Sequence, residues 1–240
     1  MTLNPIFQRL ELLTGPETMA ALEKSRVLVF GLGGVGSWCA EALVRSGIGG
    51  ISLVDFDTVC ISNTNRQIQA LNSTIGRLKA EALEERLKDI NPGCKIKTFS
   101  HVFSKNTVNF FDFGEVDYVI DAIDMLESKL DLIETTFSFK KQLFSSMGMA
   151  FKLDPTKIKV VDIWKSSGCP LARLVRQGLR KRGFKEHFPV VCSTEQPLRR
   201  EPGACVEGKR PIGSAVPVTA TAGMILASLV IRDLSRTAHE

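Results

Sequence analysis

The sequence predicts an α/β protein built on a doubly wound, mostly parallel sheet with a C-terminal β/α extension. Three observations predict it. From Arg26 to Phe56 a strand, a glycine-rich turn, a helix and a second strand follow one another without interruption. Further apolar runs of strand length recur at intervals along the chain, and helical spacing between them is closed by Gly and Pro signals.

Taking the elements in order, Phe7 to Leu13 carries Arg9, and Pro16 to Lys24 fits a helix with proline in its first turn. Val27 to Phe30 is a short run rich in β-formers that leads into Gly31, Gly33, Gly34 and Gly36. Ala40, Leu43 and Val44 then mark a helix, Gly47 ends it, and Ile51 to Val54 forms a second buried strand. A side chain in the turn would hold the backbone away from a phosphate, and the helix behind it presents free N–H groups to an anion. Asp55 closes the second strand nineteen residues after Gly36, where a carboxylate accepts ribose hydroxyls. A bound nucleotide is therefore expected in a Rossmann-like unit, and the motif leaves its identity open.

After Asp55 the chain turns polar, as D-F-D-T-V-C-I-S-N-T-N-R-Q, too long for a simple connection and a second candidate site. Gly76 to Leu87 reads as a helix stopped by Asn91-Pro92-Gly93, Lys95 to Phe99 as a strand, and Asn106 to Phe111 as a short helix. Asp117 to Ile120 is a buried strand ending on Asp121-Ala122-Ile123-Asp124, which places Asp124 near the glycine turn. Ser128 to Phe137 is a helix, Gln142 to Ser146 a strand, and Ile158 to Ile163 a β segment after the Asp154-Pro155 turn. Pro170 to Arg182 is a helix with a basic face, which nonspecific contact with RNA phosphates and simple solvation explain equally. Ser193 to Arg210, with Arg199, Arg200, Lys209 and Arg210, reads as a mobile loop. Ala215 to Ile231 is almost free of charge, yet Pro217, Gly223 and three hydroxyl residues favour a helix packed inside the protein over a membrane span.

The composition, 240 residues with 44% hydrophobic and 24% charged, fits one domain over 1–240. Its nucleotide-binding half is expected over about 1–150, and a half for substrate and dimer contacts over about 151–240. The first twenty residues include Glu11 and Glu17 and no secretory apolar block, so a cytoplasmic protein is expected. The six cysteines form no C-x-x-C pair, which argues against a disulfide framework and against zinc. A net charge of +5 suits a polyanionic substrate without specifying nucleic acid.

The ordered set G-L-G-G-V-G, L-V-D-F-D, S-N-T-N-R-Q, G-x-x-K at Gly76 to Lys79 and V-I-D-A-I-D at Val119 to Asp124 resembles the ubiquitin-activating-like adenylating superfamily. Within it, S-N-T-N-R-Q-I, D-A-I-D followed by Lys129, C-S-T-E at Cys192 to Glu195 and G-S-A-V-P-V-T-A-T-A-G at Gly213 to Gly223 resemble the transfer-RNA threonylcarbamoyladenosine dehydratase branch. The resemblance implies ATP and magnesium as cofactors, and transfer RNA carrying threonylcarbamoyladenosine as substrate, with no role for DNA. Activation joins two anions and expels pyrophosphate, so the site must supply positive charge. Arg66 and Lys79 are the candidates for that charge, and Asp124 for holding magnesium. Asp55 would take the ribose, Gly34 would let the backbone approach the phosphates, and Ser62 and Asn63 would add polar contacts. Arg9 matches an arginine that reaches the nucleotide of a second subunit, which implies a homodimer, and a sulfur-transfer protein is a further partner in view.

Each assignment has a plainer rival: surface ion pairs for Arg66 and Lys79, a helix cap for Asp124, an ordinary exposed side chain for Arg9, a helix-surface lysine for Lys129. Cys192 and Cys205 lie where an acyl-accepting cysteine would be sought, but no histidine at a meaningful spacing marks either as an activated thiolate, and a substrate that cyclises supplies its own attacking atom. The absent C-x-x-C pairs weigh against the alternative, adenylation of a ubiquitin-like sulfur carrier. Arg66 and Lys79 weigh against a nicotinamide-dependent oxidoreductase or a nucleotide sensor, since a triphosphate with magnesium needs those cations and a dinucleotide does not.

Overall fold

The computed structural model describes residues 4–198 and 212–239. Seven strands form one sheet in the order β3-β2-β1-β4-β5-β7-β6. These are β1 (Arg26–Phe30), β2 (Gly50–Val54), β3 (Lys95–Phe99), β4 (Tyr118–Asp121), β5 (Gln142–Ser146), β6 (Ile158–Asp162) and β7 (Pro189–Ser193). All pairs are parallel except β6 with β7. The strand order reverses between β1 and β4, and in open parallel sheets the crevice at such a point receives the ligand.

Helices cover both faces. On one lie α1 (Gln8–Lys24), α2 (Gly36–Arg45), α3 (Lys79–Ile90) and α6 (Val216–Ala238), packed through Leu22, Leu43, Leu83 and Leu226. On the other, α4 (Leu126–Ser138) and α5 (Pro170–Lys181) bury Leu130, Ile133, Val175 and Leu179 against Leu28, Val119 and Val190. The central strands are buried on both faces, which is why they read as continuous apolar runs rather than alternating ones.

Most expected elements are present, with informative shifts. The N-terminal helix begins earlier than expected, at Gln8, and breaks at Gly15 (φ 83°), so that Pro16 starts its second segment. α3 begins at Lys79 rather than at Gly76, because Gly76 sits at φ 86° in a turn that no helix accommodates. β7 was not foreseen: its apolar run is only Val190 to Cys192, too short to show a period, and the buried Ser193 ends it rather than opening a loop. Arg199, Arg200, Lys209, Arg210 and Cys205 lie outside the described residues.

α6 is long and apolar enough to cross a membrane by length and composition. Here it is a packing helix: Val218, Ala222, Leu226 and Val230 are buried against α1 and α2, and a side chain at Gly223 would strike the backbone at Val35.

Candidate active site

A cavity of about 530 Å³ opens at the reversal point, beyond the C-terminal ends of β1 and β4. Gly31, Gly33 and Gly34 line one wall, with Asp55, Asn63, Arg66, Lys79 and Asp124 around them. Residues that span 93 positions of sequence thus meet in one crevice. A larger hollow of about 910 Å³, beside Lys105, Phe137 and Lys141, is a shallow surface feature at the far end of the sheet.

Two glycines make the turn possible. Gly31 holds φ 84°, and a side chain there would press on the Ala122 carbonyl 2.7 Å away, so the turn and the D-A-I-D segment touch backbone to backbone. At Gly36 an added carbon would overlap the Gly31 carbonyl, which lets the first turn of α2 close over the end of β1. Gly33 faces open space, whereas a side chain on Gly34 would meet Thr219 and Arg66. Gly33 is thus the open position, and Gly34 makes room for the protein's own side chains. Val35 caps α2 without any side-chain hydrogen bond; the Ser37 N–H is taken by the Gly33 carbonyl at 3.2 Å, and no side chain competes with an anion for the helix end.

Asp55 is buried and accepts from the backbone N–H of Leu32 at 2.7 Å and of Asp57 at 2.9 Å. Burial pushes its carboxyl above the usual range against the opposing pull of Lys79 and those two N–H groups. Lys79, itself buried, donates to Asp57 Oδ2 at 2.7 Å, so its ammonium is held at the cavity wall by a half-exposed carboxylate. Arg66 donates to the Ser62 carbonyl and to Asn65 Oδ1, both at 2.9 Å, partners that an incoming phosphate can replace. Gln67 Oε1 is buried on the same wall without a hydrogen-bond partner, an unmet acceptor at the cavity.

The D-A-I-D segment is braced from behind. Asp121 is fully buried and binds Lys129 Nζ at 2.8 Å, Ser145 Oγ at 2.6 Å and the Ile123 N–H at 3.1 Å. Lys129 also donates to the Ile123 carbonyl at 2.8 Å. The rival reading of Lys129 as a helix-surface lysine is therefore excluded: it is completely buried and ties α4 to the strand end. Asp124 projects beyond this knot as an exposed carboxylate on the cavity wall.

Not every expected residue joins the cavity. Ser62 is exposed outside its lining, with its hydroxyl toward Cys60 Sγ; Arg9, expected to serve a second copy rather than this cavity, is exposed on α1. Cys192 is buried on β7 beside Cys169; the hydrogen bond between the two thiols and burial both raise the Cys192 pKa, whereas for Cys169 the same bond lowers it against the opposing effect of burial. A buried thiol with a raised pKa is a poor nucleophile at neutral pH. Conversely, Thr219, Ser214 and Ile212 line the cavity from the start of α6 and the segment before it, and Asp57 holds Lys79. The G-S-A-V-P-V-T run carried the only signal for the first group, and it was a resemblance rather than a chemical pattern.

The sequence model of the ThiF family matches residues 7–240. The tRNA threonylcarbamoyladenosine dehydratase of Bacillus subtilis is 42% identical over 239 residues, covering 95% of this chain and 94% of that protein. The enzyme of the same name from Escherichia coli is 35% identical, over 92% and 90% of the two chains. The crystal structure of the E. coli enzyme, TcdA, in complex with AMP superposes with a TM-score of 0.90 at 35% identity, over 98% of this chain and 96% of that one. With that likeness over nearly its whole length, and with the glycine turn, Asp55 and the two cavity cations in place, the chain belongs to the ThiF family.

Proposed function

We propose that this protein is an ATP-dependent transfer-RNA threonylcarbamoyladenosine dehydratase. The observation that carries the reading is that one cavity joins a phosphate-accepting glycine turn to Asp55, Arg66, Lys79 and Asp124. The full-length likeness to dehydratases supports the substrate.

In this reading the substrate's carboxylate oxygen attacks the α-phosphorus of ATP, and the bond to pyrophosphate breaks. An atom of the substrate then attacks the acyl carbon, the bond to AMP breaks with the former carboxylate oxygen leaving on AMP, and the ring closes with net loss of water. Asp55 accepts the ribose hydroxyls, the backbone at Gly33 and the start of α2 receive phosphate oxygens, and Arg66 and Lys79 offset charge as pyrophosphate leaves. Lys79 does so by exchanging Asp57 for phosphate. Asp124 fits a magnesium ion held by one carboxylate and substrate phosphates, and such an ion would neutralise phosphate charge. The two halves divide the work, nucleotide to about residue 150 and substrate beyond it. A homodimer in which Arg9 serves the nucleotide of the second copy, cytoplasmic location and a sulfur-transfer protein as a further partner complete the reading.

Incubation with ATP, magnesium and transfer RNA bearing the modified nucleoside tests it by mass spectrometry. The nucleoside is expected to lose one water. Its mass staying unchanged while a carrier-protein C-terminus drives AMP formation would establish the sulfur-carrier alternative instead.

A further inference from the structure

Residues 157–187 contain nine lysines and arginines against Asp162 and Glu186, a formal +7. The whole chain carries +5, so everything outside this stretch sums to −2. Three of the acid-facing or bonded groups there are spoken for structurally: Arg182 binds Glu127, Asp131 and Glu134, Arg176 binds Ser166, and Asp162 binds His187. The others are different. Lys159, Lys165, Arg173, Arg180 and Lys181 are exposed and have no acidic partner among the described residues.

Their placement is coherent. Lys159 pairs in register with Cys192 and Val161 with Val190, and Val190 and Cys192 face α5, so Lys159 projects on the α5 side of the sheet. On α5, Arg173, Arg180 and Lys181 stand seven and eight residues apart, one face of a helix. Half-buried Trp164 sits among them, with the Arg180 guanidinium 5.4 Å from its ring centre. The helix itself starts at the cavity: Leu171, in the first turn of α5, lines it from the side of the helix opposite the cations, and Cys169 packs directly behind Gly148 of the cavity wall. From Arg173 to Arg180 the helix advances about 10 Å, the span of roughly three nucleotides of a strand.

We infer that Lys159, Lys165, Arg173, Arg180 and Lys181, with Trp164 between them, form a ridge that grips the phosphate backbone of RNA whose modified base enters the adjacent cavity. The inference rests on the proposed dehydratase activity for the identity of the RNA. Unpaired cations on one face cost the fold self-repulsion, which a polyanion relieves on binding. A ridge on the outer side of a helix whose first turn is at the cavity supplies sequence-independent grip near the reacting base, the division between positioning and recognition that nucleic-acid contacts follow.

The test compares the wild type with Arg173→Gln/Arg180→Gln/Lys181→Gln and with a remote control, Lys24→Gln/Lys95→Gln. Transfer-RNA affinity is measured by filter binding across a salt series, alongside ATP affinity and the mass change of the modified nucleoside. The triple variant is expected to bind RNA at least about tenfold more weakly, with a log–log salt slope shallower by about 2 to 3. ATP affinity and the control should match the wild type. Equal RNA affinity and slope in the triple variant would overturn the ridge while leaving the dehydratase reading standing. A ridge-dependent slope without water loss would do the reverse, and a wild type that binds no transfer RNA would overturn both.

Discussion

Around β1 and β4 the charges are neutralised inside the protein: Lys129 lies on Asp121, Lys79 on Asp57, and Arg86 on Glu41 at 2.6 Å. Along β6 and α5 they are not: Arg173, Arg180 and Lys181 face solvent with no acidic partner among the described residues. The difference separates two uses of charge. A buried pair is weak evidence for stability, since desolvation offsets its attraction, but it fixes where atoms sit. An exposed unpaired cation fixes nothing and remains free for a ligand.

The comparison breaks first at Lys129. Lys129→Met strands the Asp121 carboxylate in a dry site, and a loss of about 3–5 kcal/mol is expected in urea unfolding. A loss below about 1 kcal/mol would mean that Ser145 and the Ile123 N–H suffice for Asp121 alone. Next comes Lys79→Ala, which removes a cation aimed at the cavity. Pyrophosphate release should fall on the order of 10²- to 10³-fold with the fold retained, and near-normal release would place the needed charge on Arg66 alone.

Asp55 sharpens the comparison through pH. Its pKa in the folded protein is raised by burial, so this group gives the fold no stability that acid would remove. Binding behaves oppositely, because only the ionised carboxylate accepts both ribose hydroxyls. ATP affinity should therefore weaken as pH falls through the raised value, beginning above the usual aspartate range. Asp55→Asn should bind ATP about tenfold more weakly and lose that acid limb in titration calorimetry; an unaltered limb would assign it to another group. The smallest effect is expected on the surface, where Glu85→Gln breaks a 2.7 Å pair with Arg77 whose side chains are both largely exposed. Thermal unfolding should register about 0.5 kcal/mol or less.

Much of the fold was legible because its signals are local. Gln142 to Ser146 was bounded correctly as β5, since a buried apolar strand follows a helix with little between them. β7 escaped because three apolar residues, Val190 to Cys192, carry no period. In the site, the glycine turn and Asp55 could be read from spacing within one strand-helix-strand unit, and Arg66, Lys79 and Asp124 from an ordered set of motifs. The cavity does gather all five groups, while Ser62, placed by the same route, lies outside its lining. The burial of Lys129, which removes its rival reading as a surface lysine, was not legible because burial is a property of what packs around a side chain, and no lysine announces it.

The amino-acid order by itself determined the succession of strands and helices, the bend after β1 and the acid that closes β2, because backbone preference and apolar period act over a few residues. Only the tertiary structure decided that Thr219 and Ser214 reach the crevice opposite Gly34, that Asp57 holds Lys79, and that Asp121 and Lys129 share a dry pocket. Those outcomes depend on segments far apart in sequence excluding water from one another, and the cost of removing a charge from water is set by its surroundings, not by its neighbours along the chain.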